Sequence, residues 1–523
     1  MIRVVGAWDR VEMVEGTENR EREMELDEYR LPGIQSEQSF FISRIPSRRL
    51  LPLSSLRRAG SDRSDPRRAG SALRRPTMAA LRVLEQHWVS PPPPTGPRPA
   101  LPLTFFDIPW LDLNPVDRLF FYRFPHSSAV FLDSHLPNLK SSLALTLNNF
   151  YPLAGTIRRS SAYDDRFEIC NSDGDSVSLT VGEFENMDFN DISGYHRRPF
   201  GKLLLLVPSL PKSSDAQPLL AIQITVFPNQ GLCLALKVHH AACDGFSSIH
   251  FLKSWAAAAS RAAAPPSPPS LDRSSISDPY SLSSKLAKTV LLQRSLPHHH
   301  KPSPPSPTLA AATFTLPSHQ IQALKLKLQS KDSSFHISTF VISSACSWIC
   351  LLKTKVNDDD DDDLNRVAHF FFSVDWRNRM RPPPPANYFG NCLGCPCFVK
   401  ANVGDIVEEK DGFFMACKVI GKAIEGIGVD VYEEMDGVIQ KVIQVLPHKP
   451  LSIAGSPKLR VYDCDFGWGK PEKVEMTSIG GAGAFSMAES RDDKGGVEIG
   501  VVLPEDEIIE FGKQFDKFLD KCD

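Results

Sequence analysis

Apolar and polar positions along the 523-residue chain alternate between two periods. Helical spacing of apolar residues runs from Leu139 to Phe150, stopping before Pro152, then from Ile337 to Leu352 and from Phe413 to Ile443. Short runs of branched and aromatic residues predict strands at Leu81 to Val89, Phe167 to Ile169, Leu219 to Phe227, Leu232 to Val238, Val367 to Val374 and Val497 to Leu503. A final helix is predicted from Glu505 to Leu519. Because helices and strands mix along both halves, the fold class is α/β (mixed α+β).

Changes in composition divide the chain. Residues 1–77 hold 15 Arg and no Lys, and they repeat Arg-Arg-Ala-Gly-Ser at 57–61 and 67–71. Three readings compete there: a disordered arm, a transit peptide, or upstream sequence joined to a true start at Met78. The acidic stretch from Glu12 to Glu28 argues against a transit peptide. The expectation is a disordered or artefactual extension, 1–77, followed by an N-terminal domain, 78–255. Residues 256–313, rich in Ala, Pro and Ser, are expected to form an exposed crossover linker before a C-terminal domain, 314–523. Six aspartates, Asp358 to Asp363, read as a solvated loop tip.

Charge and apolarity narrow the function classes. Lys+Arg of 59 against Asp+Glu of 62 leaves a net charge of −3, which gives no field to draw the chain onto nucleic acid. Runs such as Leu203 to Val207 fall far short of the roughly 18 residues of a membrane-spanning helix. Eleven scattered cysteines, an odd number, with no glycosylation sequon, suggest free thiols and a cytoplasmic location.

The densest chemical signal is His239-His240-Ala241-Ala242-Cys243-Asp244-Gly245, at the end of a predicted buried strand. An imidazole held there can take a proton from an alcohol near neutral pH. Asp244 can bond the other ring nitrogen of His240, or turn away and hold the loop. Spacing does not choose between these. Gly245 is read as permitting the turn. Adjacent histidines on a strand point to opposite faces, so no metal site is expected.

A second element is Asp465-Phe466-Gly467-Trp468-Gly469. Its first three residues match the kinase magnesium motif, but no His-Arg-Asp loop or phosphate loop accompanies them. The flanking glycines suggest backbone passing close to a ligand or another domain, with a buried turn as the alternative. No Gly-x-Ser-x-Gly elbow supplies a serine nucleophile. Cys392, Cys395 and Cys397 lack a second ligand pair and read as structural thiols.

His-x-x-x-Asp-Gly in mid-chain, with Asp-Phe-Gly-Trp-Gly near the C-terminus, resembles the plant BAHD acyltransferase family over residues 78–523. The stretches Leu103 to Trp110, Tyr151 to Gly155 and Asn387 to Cys392 resemble its branch that acylates anthocyanin, flavonoid and phenolic glucosides. The sequence departs from that branch in its crossover, its aspartate tract and Trp376. The resemblance implies two similar-sized domains, each a mixed sheet with helices, in a chloramphenicol-acetyltransferase-like fold. It implies malonyl-CoA or a hydroxycinnamoyl-CoA as co-substrate, with no permanent cofactor, and a monomer.

His240 is implied as general base in a channel between the domains, with no covalent acyl-enzyme. Asp244 is implied as structural, turned toward Arg377. Trp468 is a candidate indole donor near the reaction, and Asp465 a loop anchor. Two alternatives stand beside this: a noncatalytic scaffold, against which the intact motifs argue, and an amine acceptor, against which Tyr388 to Cys392 argues.

Overall fold

The computed structural model describes residues 81–521 apart from 212, 214–215, 262–263, 296–307, 356–360 and 481–482. The extension 1–77, the proline run 302–307 and the first half of the aspartate tract therefore lie outside the described residues.

Runs of buried, branched side chains build two large sheets. The first orders its strands as Arg82–Val89, Val177–Glu183, Leu220–Phe227, Gly231–Val238, Val116–Arg123 and Lys473–Glu475. The second runs Leu393–Asn402, Val367–Asp375, Leu451–Gly455, Ala484–Glu489, Val497–Pro504, Leu309–Leu316 and Arg198–Pro199. Both mix parallel and antiparallel pairs. A small third sheet joins Leu101–Pro102, Phe167–Cys170, Thr156–Arg159 and Gln217–Pro218.

The two halves exchange strands. Lys473–Glu475, late in the chain, pairs with Val116–Arg123 in the first sheet, while Arg198–Pro199 pairs with Leu309–Leu316 in the second. Both exchanged segments carry buried charges that meet: Arg198 Nη2 lies 2.6 Å from Glu475 Oε1, and Lys473 Nζ 3.1 Å from Glu498 Oε2. Burying such charges is tolerable only because each finds a partner. Glu475 is held below the usual carboxylate range, as Arg198 and Lys473 outweigh its burial.

Two expectations are corrected. Residues 256–313 are not simply an exposed linker. The helix Gly245–Ser260 runs across their start, and the helix Leu282–Ser295 buries Leu282, Leu286, Ala287 and Val290. Arg273 is buried as well, donating to the Tyr388 hydroxyl at 2.6 Å and the Phe389 carbonyl at 2.8 Å. The apolar stretch from Phe413 to Ile443 is not one helix but three, Gly412–Glu425, Val431–Met435 and Val438–Val445. Gly426, Gly428 and Gly437 interrupt it, and Gly437 takes φ +64, a conformation that ends helices.

Candidate active site

The site grows from an inner strand of the first sheet. Gly231–Val238 is hydrogen-bonded on both sides and almost wholly buried, so its end is rigidly placed. His239 continues the pairing, its N–H donating to the Leu219 carbonyl at 2.8 Å. The chain then turns, with the Ala242 N–H on the His239 carbonyl, and enters the helix Gly245–Ser260. His239 is buried, and its Nδ1 accepts from the Ala241 N–H at 3.2 Å. It serves the turn.

His240 instead opens on a cavity of about 1090 Å³ between the two large sheets. Val116, Trp110 and Val238 line one side of it, and Phe372, Ile453 and Gly455 the other. The imidazole lies flat on the Trp110 indole, with centroids 3.8 Å apart and planes within 8°. Burial lowers its pKa to about 4, against smaller upward pulls from its own carbonyl, the Asp244 charge and the Asn391 side chain. The ring is therefore neutral at physiological pH, with a lone pair available.

Asp244 borders the same cavity, but its carboxylate is spent on donors other than His240. Its Oδ1 accepts from the Ser247 N–H at 3.0 Å and Arg377 Nη2 at 3.1 Å; Oδ2 takes the Cys392 N–H at 3.1 Å and Arg377 Nη1 at 2.7 Å. With both oxygens doubly used, the carboxylate caps the helix and ties it to the second sheet. Arg377 and the backbone N–H donors hold it below its ordinary pKa despite complete burial. Of the two arrangements the spacing allowed, these are the loop-holding contacts, with no hydrogen bond to His240. Gly245 sits at the first helical position with ordinary backbone. What it supplies is room, since a Cβ there would come within 3.1 Å of Leu459.

Behind His240 lies a polar core that spacing did not reveal. Asn391 Nδ2 donates to the His240 carbonyl at 2.9 Å and to Asp107 Oδ1 at 2.9 Å. Asp107 Oδ1 also receives the Asn391 N–H, while Oδ2 receives the Thr104 N–H and hydroxyl. Asp107, Trp110 and Asn391 all fall inside stretches noted for resemblance, yet nothing in their local pattern announced that they converge.

The Asp465 element sits elsewhere. Asp465 Oδ1 accepts the N–H groups of Gly467 at 2.7 Å and Gly469 at 2.9 Å, closing a tight turn. Both glycines need their identity, at φ +95 and +85. The expectation that Trp468 donates near the reaction is corrected: its indole N–H goes to His135 Nδ1 at 3.3 Å, and the ring packs on Tyr122, Phe124 and Phe466, outside the cavity lining. Cys395 and Cys397 are on the strand Leu393–Asn402, their thiols pushed up to about 11 and about 12 by burial. No helix among the described residues is long and apolar enough to cross a membrane.

Comparison with known proteins adds four findings. The Transferase family model matches residues 79–518. Phenolic glucoside malonyltransferase 2 of Arabidopsis thaliana is 37% identical over 429 residues, 78% of this chain and 91% of that protein. Coumaroyl-CoA:anthocyanidin 3-O-glucoside-6''-O-coumaroyltransferase 1 of the same plant is 35% identical over 444 residues, 81% of this chain and 94% of that one. Among solved structures, vinorine synthase superposes with a TM-score of 0.61 at 22% identity, covering 82% of this chain and 96% of its own. It shares the two-domain, chloramphenicol-acetyltransferase-like fold.

Proposed function

The chain belongs to the BAHD acyltransferase family, acyl-CoA-dependent enzymes that use the CoA ester as co-substrate, and we propose that it transfers malonyl from malonyl-CoA to a sugar hydroxyl of a phenolic or flavonoid glucoside. The observation that carries this reading is His240, neutral and stacked on Trp110 at the wall of a cavity roomy enough for two substrates.

In the proposed reaction the sugar hydroxyl attacks the thioester carbonyl while His240 Nε2 accepts its proton. The tetrahedral intermediate then expels the CoA thiolate, and the same imidazole returns the proton to sulfur. Both substrates meet directly, so no acyl-enzyme is required. The site contributes chiefly by holding them in place. Asn391 lies beside the ring, and its Oδ1 and the His240 Nδ1 are both buried without a hydrogen-bond partner among the described residues. Placing the ring proton on Nδ1, toward that oxygen, leaves the Nε2 lone pair for the substrate. Asp244 and Arg377 act as structural residues, as do Asp465, Gly467, Trp468 and Gly469.

A coumaroyl donor is the second reading, favoured by the similarity to a coumaroyltransferase. The family resemblance further suggests a monomer. The ten free cysteines among the described residues, nearly all buried, suit a reducing cytoplasm. Mass spectrometry of products from quercetin and naphthol glucosides tests the reaction. A gain of one malonyl group from malonyl-CoA supports it, and no product with any CoA ester overturns it.

A further inference from the structure

Arg118 is a buried cation that the reaction as described leaves unused. It lies on the strand Val116–Arg123 with its side chain on the face that lines the same cavity as His240, between Val116 and Phe120. It is 8% exposed. Among the described residues no hydrogen bond or ion pair closes on its guanidinium. Of the two groups that act on it, the Cys464 thiol is pushed up to about 12 by burial, and Glu489, beyond ion-pair distance, also has its pKa raised by burial.

A buried charge without a partner is costly and calls for an explanation. The other cations of the cavity do not share the property. Arg377 is committed to Asp244, Lys458 is exposed and Arg379 only half-buried.

We propose that Arg118 binds the free carboxylate of the donor, which makes the cavity selective for the CoA thioester of a short dicarboxylic acid. This rests on the malonyl-transfer reading above and names the residue that selects its donor. Arg118 pairs across the sheet with Leu236, four residues before His240, a separation of about 13 Å along the strand at roughly 3.3 Å per residue. The arginine side chain and a three-carbon diacid together span most of that distance. Val116, Phe120, Leu236 and Val238 give the methylene and thioester an apolar wall. A planar guanidinium there offers a carboxylate two parallel N–H donors in a site shielded from water. Burial lowers the Arg118 pKa only to about 10, so the cation persists at physiological pH.

Calorimetric binding of malonyl-CoA and acetyl-CoA to the full chain tests the assignment without needing an acceptor or turnover. Wild-type protein is expected to bind malonyl-CoA about 10- to 100-fold more tightly, the scale of a charge-assisted hydrogen-bond pair. Arg118→Met, which keeps most of the volume, should erase that difference, and Arg118→Lys should restore part of it. Equal affinity of wild type for the two esters overturns the proposal. So does a matched loss for both esters in Arg118→Met, which would make the residue structural. Failure of glucoside acylation with every donor sinks the acceptor reading instead, while the calorimetric difference still judges Arg118.

Discussion

Arg377 grips Asp244 with two nitrogens, Nη1 at 2.7 Å from Oδ2 and Nη2 at 3.1 Å from Oδ1, across the seam between the two halves of the molecule. The aspartate starts the helix that follows the His240 turn, so the pair fixes that turn against the second sheet. Removing one partner strands the other's charge, which costs about 3–5 kcal/mol in a buried setting. Asp244→Ala is therefore expected to lower the melting temperature as well as turnover. Thermal unfolding followed by circular dichroism checks this, and normal melting with lost turnover would instead point to a direct chemical role.

The protonation of His240 sets the acid side of the rate profile. Burial places its pKa at about 4, below the ordinary 6.5, and the neutral form is the one that accepts a proton. Log kcat/KM should thus stay level as pH falls through 6.5 and drop only near pH 4, measured where circular dichroism reports a folded protein. An acid limb centred near 6.5 would mean the ring is solvated. The same depression makes the folded state bind fewer protons than the unfolded chain between those values, so stability falls as pH drops from about 6.5 toward 4.

Asn391 links the His240 carbonyl to the buried Asp107. Asn391→Ala is expected to lower kcat about 10- to 100-fold, a part of the roughly 100- to 10,000-fold that a general base contributes, with a smaller change in KM. A KM-dominated effect would place Asn391 in substrate binding instead.

Trp468 donates to His135 and stacks in an aromatic cluster away from the cavity. Trp468→Phe should reduce thermal stability by about 1 kcal/mol, the worth of an aromatic contact, and leave kcat near wild type. A collapse of kcat without a melting change would return the indole to the chemistry.

The elements that were legible in sequence are those whose signal is local. Leu232 to Val238 is read as a buried strand because its apolar residues are continuous, and it appears as Gly231–Val238. The His240 turn follows from its place at that strand's end. What was not legible depends on distant partners. Nothing near Lys473 predicts pairing with Phe121, and Trp110 is 130 positions from the ring it supports. Helical spacing across Phe413 to Ile443 conceals three short helices, because an amphipathic stripe continues in register past the glycines that break it. Arg118 likewise gives no sign in its own strand that it faces the cavity unpaired.

The role of His240 is decided by turnover of malonyl-CoA with a phenolic glucoside, quantified by product mass for wild type, His240→Ala and His239→Ala at matched folded concentration. A general base at His240 entails at least about a hundredfold loss for His240→Ala and less than about tenfold for His239→Ala. Near-normal turnover by His240→Ala, or the reverse order of the two variants, would contradict it.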